Sequence, residues 1–235
     1  MERRLRILQI FNRYLEYGGE QGSVVRIGDS LQQSADVEYF LTSSDQLLGG
    51  KRPDELVKAA AFALHNPDTV RRLERYQKIG RFDLWQIHNV FPAMSPSVYG
   101  LAFKLGVPVV QYLHNYRMSC VNGFFLNHGQ ECTSCIHGNF SKAALTGCWH
   151  DSRLVSGWMG VVMMRVRAMG VFQKVSAWIA ISNAQKNLHV RMGIPAERIH
   201  VLPHFFEPNP ARFISESGRD VLFVGRLSKE KGVEQ

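Results

Sequence analysis

Two histidine–asparagine pairs stand out first for the chemistry they offer. His88-Asn89 and His114-Asn115 each directly follow a short apolar segment that is typical of a buried strand. A histidine at a strand end can donate to a hydroxyl or phosphate group, or move a proton near neutral pH. Together the pairs predict a polar cleft where two strands end. The alternative for each histidine is a purely structural role.

Two loops carry residue types that bind anionic groups. Gly18-Gly19 lies between a predicted strand and helix, where backbone N–H groups and the helix N-terminus attract phosphate; a tight turn is the alternative. A later loop carries Arg226, which can grip a diphosphate bidentately, and Lys231; a basic surface turn is the alternative. The dinucleotide fingerprint Gly-x-Gly-x-x-Gly and the P-loop pattern are both absent, which argues against those nucleotide sites.

The four cysteines of the chain lie close together in the sequence, and two of them form a Cys-x-x-Cys knuckle. Thiolates at this spacing predict a structural zinc site, in which two further cysteines complete a tetrahedron. Four reduced thiols, or one or two labile disulfides, are the alternatives. The cysteines are Cys120, Cys132, Cys135 and Cys148, and the alternative zinc ligands are His128, His137 and His150.

Alternating strands and helices must position these residues. The apolar pattern predicts strands at 5–11, 37–41, 84–88, 107–113, 177–181, 199–202 and 221–224, and helices at 21–31, 54–65, 68–79, 95–105, 151–172 and 184–192. Because the strands are apolar on both faces, we expect an α/β, Rossmann-like fold with a mostly parallel sheet and helices on both faces. Ligands bind such sheets at the carboxyl ends of the strands, where Ser182 and His204 also fall.

Length and composition narrow the class of protein. The 235 residues, 45% of them hydrophobic, suffice for one folded domain and part of a second, and they exclude general disorder. The net charge is +8, yet only 20% of residues are charged and no long run of like charges occurs. Nucleic-acid binding is therefore not expected.

The N-terminal segment lacks the apolar core and cleavage site of a signal peptide, so we expect a reducing, cytoplasmic location. Between residues 151 and 200, basic residues outnumber acidic ones and lie among apolar side chains. This pattern predicts peripheral contact with an anionic membrane; a core helix with a solvated basic edge is the alternative. The apolar side chains are Trp158, Met159, Met163 and Met164.

In combination, several motifs resemble family 4 glycosyltransferases of the GT-B fold. The motifs are Val224-Gly225-Arg226-Leu227 with Glu230-Lys231-Gly232, Gly18-Gly19-Glu20, residues 179–184 and Gly193-Ile194-Pro195. The run Leu113-His114-Asn115-Tyr116-Arg117, with the four cysteines, is similar to a branch acting in polysaccharide or cell-envelope sugar assembly. The resemblance extends over nearly the whole chain.

The resemblance implies transfer of a hexose from a nucleotide-sugar to a hydroxyl of a glycan or lipid-linked acceptor, usually with retention of configuration and without a catalytic metal. It implies that His114 faces the donor sugar, as the candidate catalytic residue, and that Gly18 and Gly19 lie beside a phosphate of donor or acceptor. Arg226 and Lys231 would neutralise the departing diphosphate, where negative charge develops. From their position after strands, His88, Asn115 and Ser182 are the further candidates for substrate binding. His204 departs from the asparagine common in the family.

The resemblance also implies a domain division. Residues 1–205 correspond to an acceptor-side domain with a cysteine-containing insertion at 116–150, residues 206–219 to a linker, and 220–235 to the start of the donor-binding domain. Because the family's paired-glutamate motif would lie beyond residue 235, we expect the 235-residue chain alone to be inactive. The competing hypothesis is a non-catalytic module that binds an acceptor or partner and holds a structural zinc.

Overall fold

Six of the eight strands in the described part of the chain form a single parallel sheet. The computed structural model describes residues 3–13, 19–44, 52–206, 221–225 and 227. The strands are β1 Leu5–Arg13, β2 Ala35–Ser43, β3 Leu84–Asn89, β4 Val109–Leu113, β5 Leu126–Asn127, β6 Gln130–Glu131, β7 Ala177–Ala180 and β8 Ile199–Val201. The helices are α1 Gly19–Gln32, α2 Pro53–Leu64, α3 Pro67–Gly80, α4 Ser97–Leu105, α5 Ser141–Thr146, α6 Arg153–Ala168, α7 Val171–Lys174 and α8 Asn183–Arg191.

The strand order sets where a ligand can bind. The large sheet runs β2-β1-β3-β4-β7-β8 with every neighbour parallel, and β5 and β6 form a separate antiparallel pair. The chain passes from β1 to β2 on one side and then returns to β3 on the other side of β1. At such a reversal the connections diverge and leave a crevice at the carboxyl ends of the strands.

The sheet is buried on both faces. In β1 the six consecutive residues 7–12 are all buried, which requires cover above and below, since neighbouring side chains point to opposite faces. Trp85 on β3 and Trp178 on β7 are fully buried in the same core. The predicted Rossmann-like α/β fold is therefore confirmed.

Two predicted elements differ from the structure. The helix predicted at 151–172 is divided into α6 and α7, because Gly170 adopts a left-handed conformation with φ of 68°. The strand predicted at 221–224 is not formed: these residues are exposed and pair with no strand in the described part of the chain. An apolar run of four residues becomes a strand only when a neighbouring strand satisfies its backbone groups.

Arg167 on α6 anchors the cysteine-containing segment to the rest of the domain. Its guanidinium donates to Ser119 Oγ at 3.1 Å, to the Ile136 carbonyl at 3.0 Å and to the Met192 carbonyl at 3.3 Å. It also stacks on the Phe172 ring, with its carbon 4.8 Å from the ring centre. The planar arginine fork thus joins segments that lie far apart in the sequence.

The described helices include none that combines the length and apolar character needed to cross a membrane.

Candidate functional site

The site is built around a contact between His88 and His114. Strands β3 and β4 pair in parallel, with Ile87 opposite Gln111, so the residues after each strand arrive at the same edge. His88 Nδ1 and His114 Nε2 are 2.9 Å apart, a hydrogen-bond distance, and the ring centres are 5.2 Å apart. The parallel register therefore brings together the two histidines that the sequence places after separate strands.

Two further rings extend the pair into a stack. Tyr112 lies 4.7 Å from His114, and His204, which follows β8, lies 5.5 Å from His114 at an angle of 12°. The Tyr112 hydroxyl donates to the Leu202 carbonyl at 3.2 Å and so ties the stack to the end of β8. His204, noted in the sequence as a departure from the resembling family, is thus a member of the site.

Burial keeps the histidine pair neutral. It lowers the pKa of His88 to about 3, with a smaller contribution from His204, and the pKa of His114 to about 2, with smaller contributions from the other two histidines. The pKa of His204 is also lowered, first by burial and then by Arg26 on α1. At neutral pH the His88–His114 bond therefore holds one shared proton between uncharged rings.

The outer nitrogen of each ring, the one that is not used in the His88–His114 bond, can interact with a ligand. His88 Nε2 and His114 Nδ1 are buried and have no hydrogen-bond partner among the described residues. Whichever ring donates within the pair, one outer nitrogen is a donor and the other an acceptor. A cavity of about 20 Å³, enough for one water molecule, adjoins both rings. The pair can thus bind a hydroxyl group, or pass a proton between its ends.

Glu20 belongs to this edge, although the sequence indicated it only as part of a loop motif. It lies in the first turn of α1, and its Oε2 accepts from Asn115 Nδ2 at 3.4 Å. Burial raises the pKa of Glu20 to about 8, against smaller lowering effects of Arg117 and of the Asn115 bond. An acidic residue in a first turn is ordinarily explained by the helix dipole, so only the tertiary contact reveals its burial.

The remaining predicted binding residues have mixed outcomes. Gly19 is the first residue of α1, and a Cβ added there would meet nothing within 4 Å, so the space beside it is open. Ser182 is the N-cap of α8, and its Oγ accepts from the Gln185 N–H at 3.1 Å, which is a structural use of the hydroxyl. Gly18, Arg226 and Lys231 lie outside the described residues.

The four cysteines all line one cavity of about 20 Å³ between the β5–β6 hairpin and α5. All four are free thiols. Burial and the neighbouring thiols raise the pKa of Cys135 to about 12, and the pKa of Cys148 is raised by the same causes. Within the described stretches, no group of three or more histidine, cysteine or acidic side chains is arranged to hold a metal ion. The structure therefore does not support the predicted zinc site.

A larger cavity opens on the other side of β1. It has a volume of about 430 Å³ and lies beyond the carboxyl end of β2, between α2 and α3. Its lining has charges of both signs, from Lys58, Arg72, Glu55 and Asp68. The side chains of Thr42 and Asn66 also line it, but their polar atoms are bonded within the protein. Its lining suits a polar ligand of the size of a sugar ring or larger.

The model of glycosyltransferase family 4 matches residues 17–209. No curated protein matches the chain. Among solved structures, UDP-GlcNAc 2-epimerase from Neisseria meningitidis, bound to UDP-GlcNAc, is similar with a TM-score of 0.46 and 12% identity, over 84% of this chain and 45% of that one. Anabaena Alr3699/HepE in complex with UDP and glucose has a TM-score of 0.45 and 15% identity, over 88% of this chain and 48% of that one. The chain spans less than half the length of either structure.

Proposed function

This chain belongs to glycosyltransferase family 4, and from that premise we propose that it transfers a hexose from a nucleotide-sugar to an acceptor hydroxyl with retention of configuration. The acceptor is a glycan or a lipid-linked sugar, as in polysaccharide or glycolipid assembly. The observation that carries the proposal is the neutral His88–His114 pair at the carboxyl edge of β3 and β4. That edge is where parallel α/β sheets bind their ligands.

In this proposal His114 is the catalytic residue and contacts the donor sugar. Its Nδ1 has no partner among the described residues and can form one hydrogen bond with a sugar hydroxyl, and the neutral ring adds no charge that would compete for the diphosphate. His88 holds the ring in place through the 2.9 Å bond, which couples the tautomer of His114 to that of His88. Asn115 and Ser182 line the same edge of the sheet.

The phosphate groups require other residues. We assign Gly18 and Gly19 to a phosphate of the donor or acceptor, since the open space beside Gly19 leads to the N-terminus of α1. Arg226 and Lys231 are assigned to the leaving diphosphate on the strength of the family resemblance. Residues 1–205 are then the acceptor-side domain and 220–235 the beginning of the donor side.

The 430 Å³ cavity is the proposed acceptor site. It lies across β1 from the histidine pair, so an acceptor held there approaches the donor sugar from the β2 side. Its charged side chains of both signs suit a hydroxylated ligand. Replacement of Arg72 by Gln is expected to raise the KM for the acceptor while the rate of donor hydrolysis is unchanged.

The test is sugar transfer by the intact gene product. UDP-glucose, UDP-galactose, UDP-N-acetylglucosamine and GDP-mannose are offered with a membrane-lipid extract as acceptor, and the anomeric configuration of the product is read by NMR. We expect transfer from one donor with retention, and His114→Ala to lower kcat by about 10²–10⁴-fold. His200→Ala, which removes an exposed histidine from β8, is the matched control. An inactive wild-type protein, or equal rates for wild type and His114→Ala, would contradict the proposal.

We further propose that the face formed by α2 and α6 contacts an anionic membrane. Trp158 joins the two helices by donating its indole N–H to the Ala60 carbonyl at 3.0 Å. On the same two helices Val57 is 70% exposed and Leu154 is 87% exposed. Helix α6 contains arginines and no acidic residue, whereas α2 has Asp54 and Glu55 in its first turn. The sequence expectation needs correction in one respect: Met159 and Met163 are buried in the core, so they do not reach this face.

Vesicle co-sedimentation tests this second proposal. Wild type is expected to bind vesicles of phosphatidylglycerol and phosphatidylcholine, and to bind pure phosphatidylcholine weakly. The double variant Val57→Ser/Leu154→Ser should lose the binding, whereas Ile79→Ser, at an exposed apolar position of α3, should retain it. Binding that is indifferent to the anionic lipid would refute the proposal.

A further inference from the structure

The carboxyl group of Glu20 is buried, and only one of its two oxygens has a hydrogen-bond partner among the described residues. Its Oε2 accepts from Asn115 Nδ2 at 3.4 Å, across a separation of 95 residues. Its Oε1 is buried and has no hydrogen-bond partner among the described residues. Buried polar atoms are almost always paired, and an exception calls for a partner that is missing, such as a ligand or a water molecule.

Asn115 forms a hydrogen bond with Glu20, but no basic side chain among the described residues forms an ion pair with it. Asn115 Oδ1 accepts from the Arg117 N–H at 2.9 Å, so the amide of Asn115 is oriented with its NH₂ group toward Glu20. The two terminal nitrogens of Arg117 are occupied elsewhere: they donate to the carbonyls of Val121 and Asn122, both at 3.2 Å, and the guanidinium stacks on Trp149. Its Nε is buried and has no partner among the described residues. No ion pair involving Glu20 occurs among the described residues.

A neutral carboxyl suits a hydroxyl ligand better than a cationic one. Burial without a direct counter-charge favours the protonated acid, which accepts at one oxygen and donates at the other. A sugar hydroxyl also both donates and accepts. Asn115, which holds Glu20, is the chain neighbour of His114, the residue assigned to the donor sugar.

We propose that Glu20 recognises the transferred sugar: its side chain contacts Asn115, the chain neighbour of His114, and its Oε1 hydrogen-bonds a sugar hydroxyl when the donor is bound. This inference rests on the proposed function. It adds a specificity-determining residue that the sequence does not single out, contributed by α1 rather than by the strand ends.

The experiment compares Glu20→Ala, Glu20→Gln and Asp29→Ala in the intact gene product. Asp29 is an exposed acid on the same helix, so its variant matches the loss of a carboxyl side chain from α1. The KM for the nucleotide-sugar that is transferred fastest and the inhibition constant of its free nucleoside diphosphate are measured together. We expect Glu20→Ala to raise KM about ten-fold, with the inhibition constant unchanged. Glu20→Gln keeps a hydrogen-bond acceptor and a donor in place, so its KM should stay within about three-fold of the wild-type value.

Four results decide the matter. The pattern just described, with Asp29→Ala equal to wild type, supports the proposal. An unchanged KM in Glu20→Ala overturns it and assigns Oε1 to a water molecule. Equal weakening of the nucleoside diphosphate and the nucleotide-sugar, with a lower melting temperature, overturns it in favour of a structural role. A wild type that transfers none of the sugars overturns the proposed function, and this inference with it.

Discussion

Replacement of Glu20 by Gln should make the protein more stable, and the gain should grow with pH. The folded protein holds the Glu20 proton up to a pKa of about 8, whereas the unfolded chain releases it near the ordinary glutamate pKa of 4.5. Between these values the native state binds more protons than the unfolded state, so the free energy of unfolding falls as pH rises. Below pH 4.5 the stabilising effect of the proton is complete, and above pH 8 its loss levels off. Glutamine has no such proton.

The magnitude follows from the pKa difference. With these two pKa values, wild type loses about 3 kcal/mol relative to Glu20→Gln between about pH 5 and about pH 8. The buried histidines have lowered pKa values, so they destabilise the native state as pH falls below their ordinary range near 6.5. That effect is common to both proteins and cancels in the difference between them.

Urea unfolding of both proteins across this pH range, followed by tryptophan fluorescence, measures the difference directly. The Asp29→Ala protein should show no comparable trend, because Asp29 is exposed. A difference between wild type and Glu20→Gln that is constant with pH would refute the reasoning. So would a gain that increases toward acid, which would mean that Glu20 is ionised in the folded protein.

Three further changes test the packing. Leu73→Ala, at a fully buried position of α3, should cost about 2–5 kcal/mol in urea unfolding, and Ile79→Ala on the same helix should stay within about 0.5 kcal/mol of wild type. Gly160→Ala should lower the free energy of unfolding by about 1–3 kcal/mol. The added Cβ would lie 2.9 Å from Phe140 Cβ and would force α5 away from α6. A melting temperature equal to that of wild type would contradict this close contact. Arg167→Met should lower the free energy of unfolding by about 1–3 kcal/mol and speed proteolysis within residues 116–150. The reason is that the carbonyls of Ile136 and Met192 lose their hydrogen-bond donor. Unchanged cleavage would show that other contacts hold this segment.

The strand–helix order was predictable from the sequence because each element carries its own apolar pattern. The strands from 5 to 113 and from 177 to 202 lie within a few residues of their predicted bounds, and the parallel sheet follows from their apolar character on both faces. Parallel strands end at the same edge, so the approach of His88 to His114 was also within reach of sequence reasoning. The strand expected at 221–224 failed because a strand depends on a neighbour, which a local pattern does not specify.

The parts of the site that sequence reasoning missed depend on contacts between distant segments. Glu20 is buried only because the loop that contains Asn115 packs against the first turn of α1. Spacing indicated that the four cysteines could converge, and they do line one cavity, but the angles and distances that zinc requires are not encoded in spacing. Likewise, the apolar pattern of α6 does not tell which methionines face the core, since that depends on where α5 and α2 lie.

Strand β8 is an edge strand of the sheet, so the segment that carries His204 can open locally without the rest of the site. This strand has three residues and, among the described strands, pairs with β7 alone; the Leu202 N–H that follows it donates to the Ala180 carbonyl at 2.8 Å. Opening of this edge breaks few hydrogen bonds, so its amide protons should exchange with solvent sooner than those of β1. We expect each opening to move His204 away from the His114 ring, whereas the His88–His114 bond joins residues that follow β3 and β4. Access to one side of the site is thus governed by fraying of an edge strand, and a ligand seated against His204 should slow the exchange of the Leu202 amide.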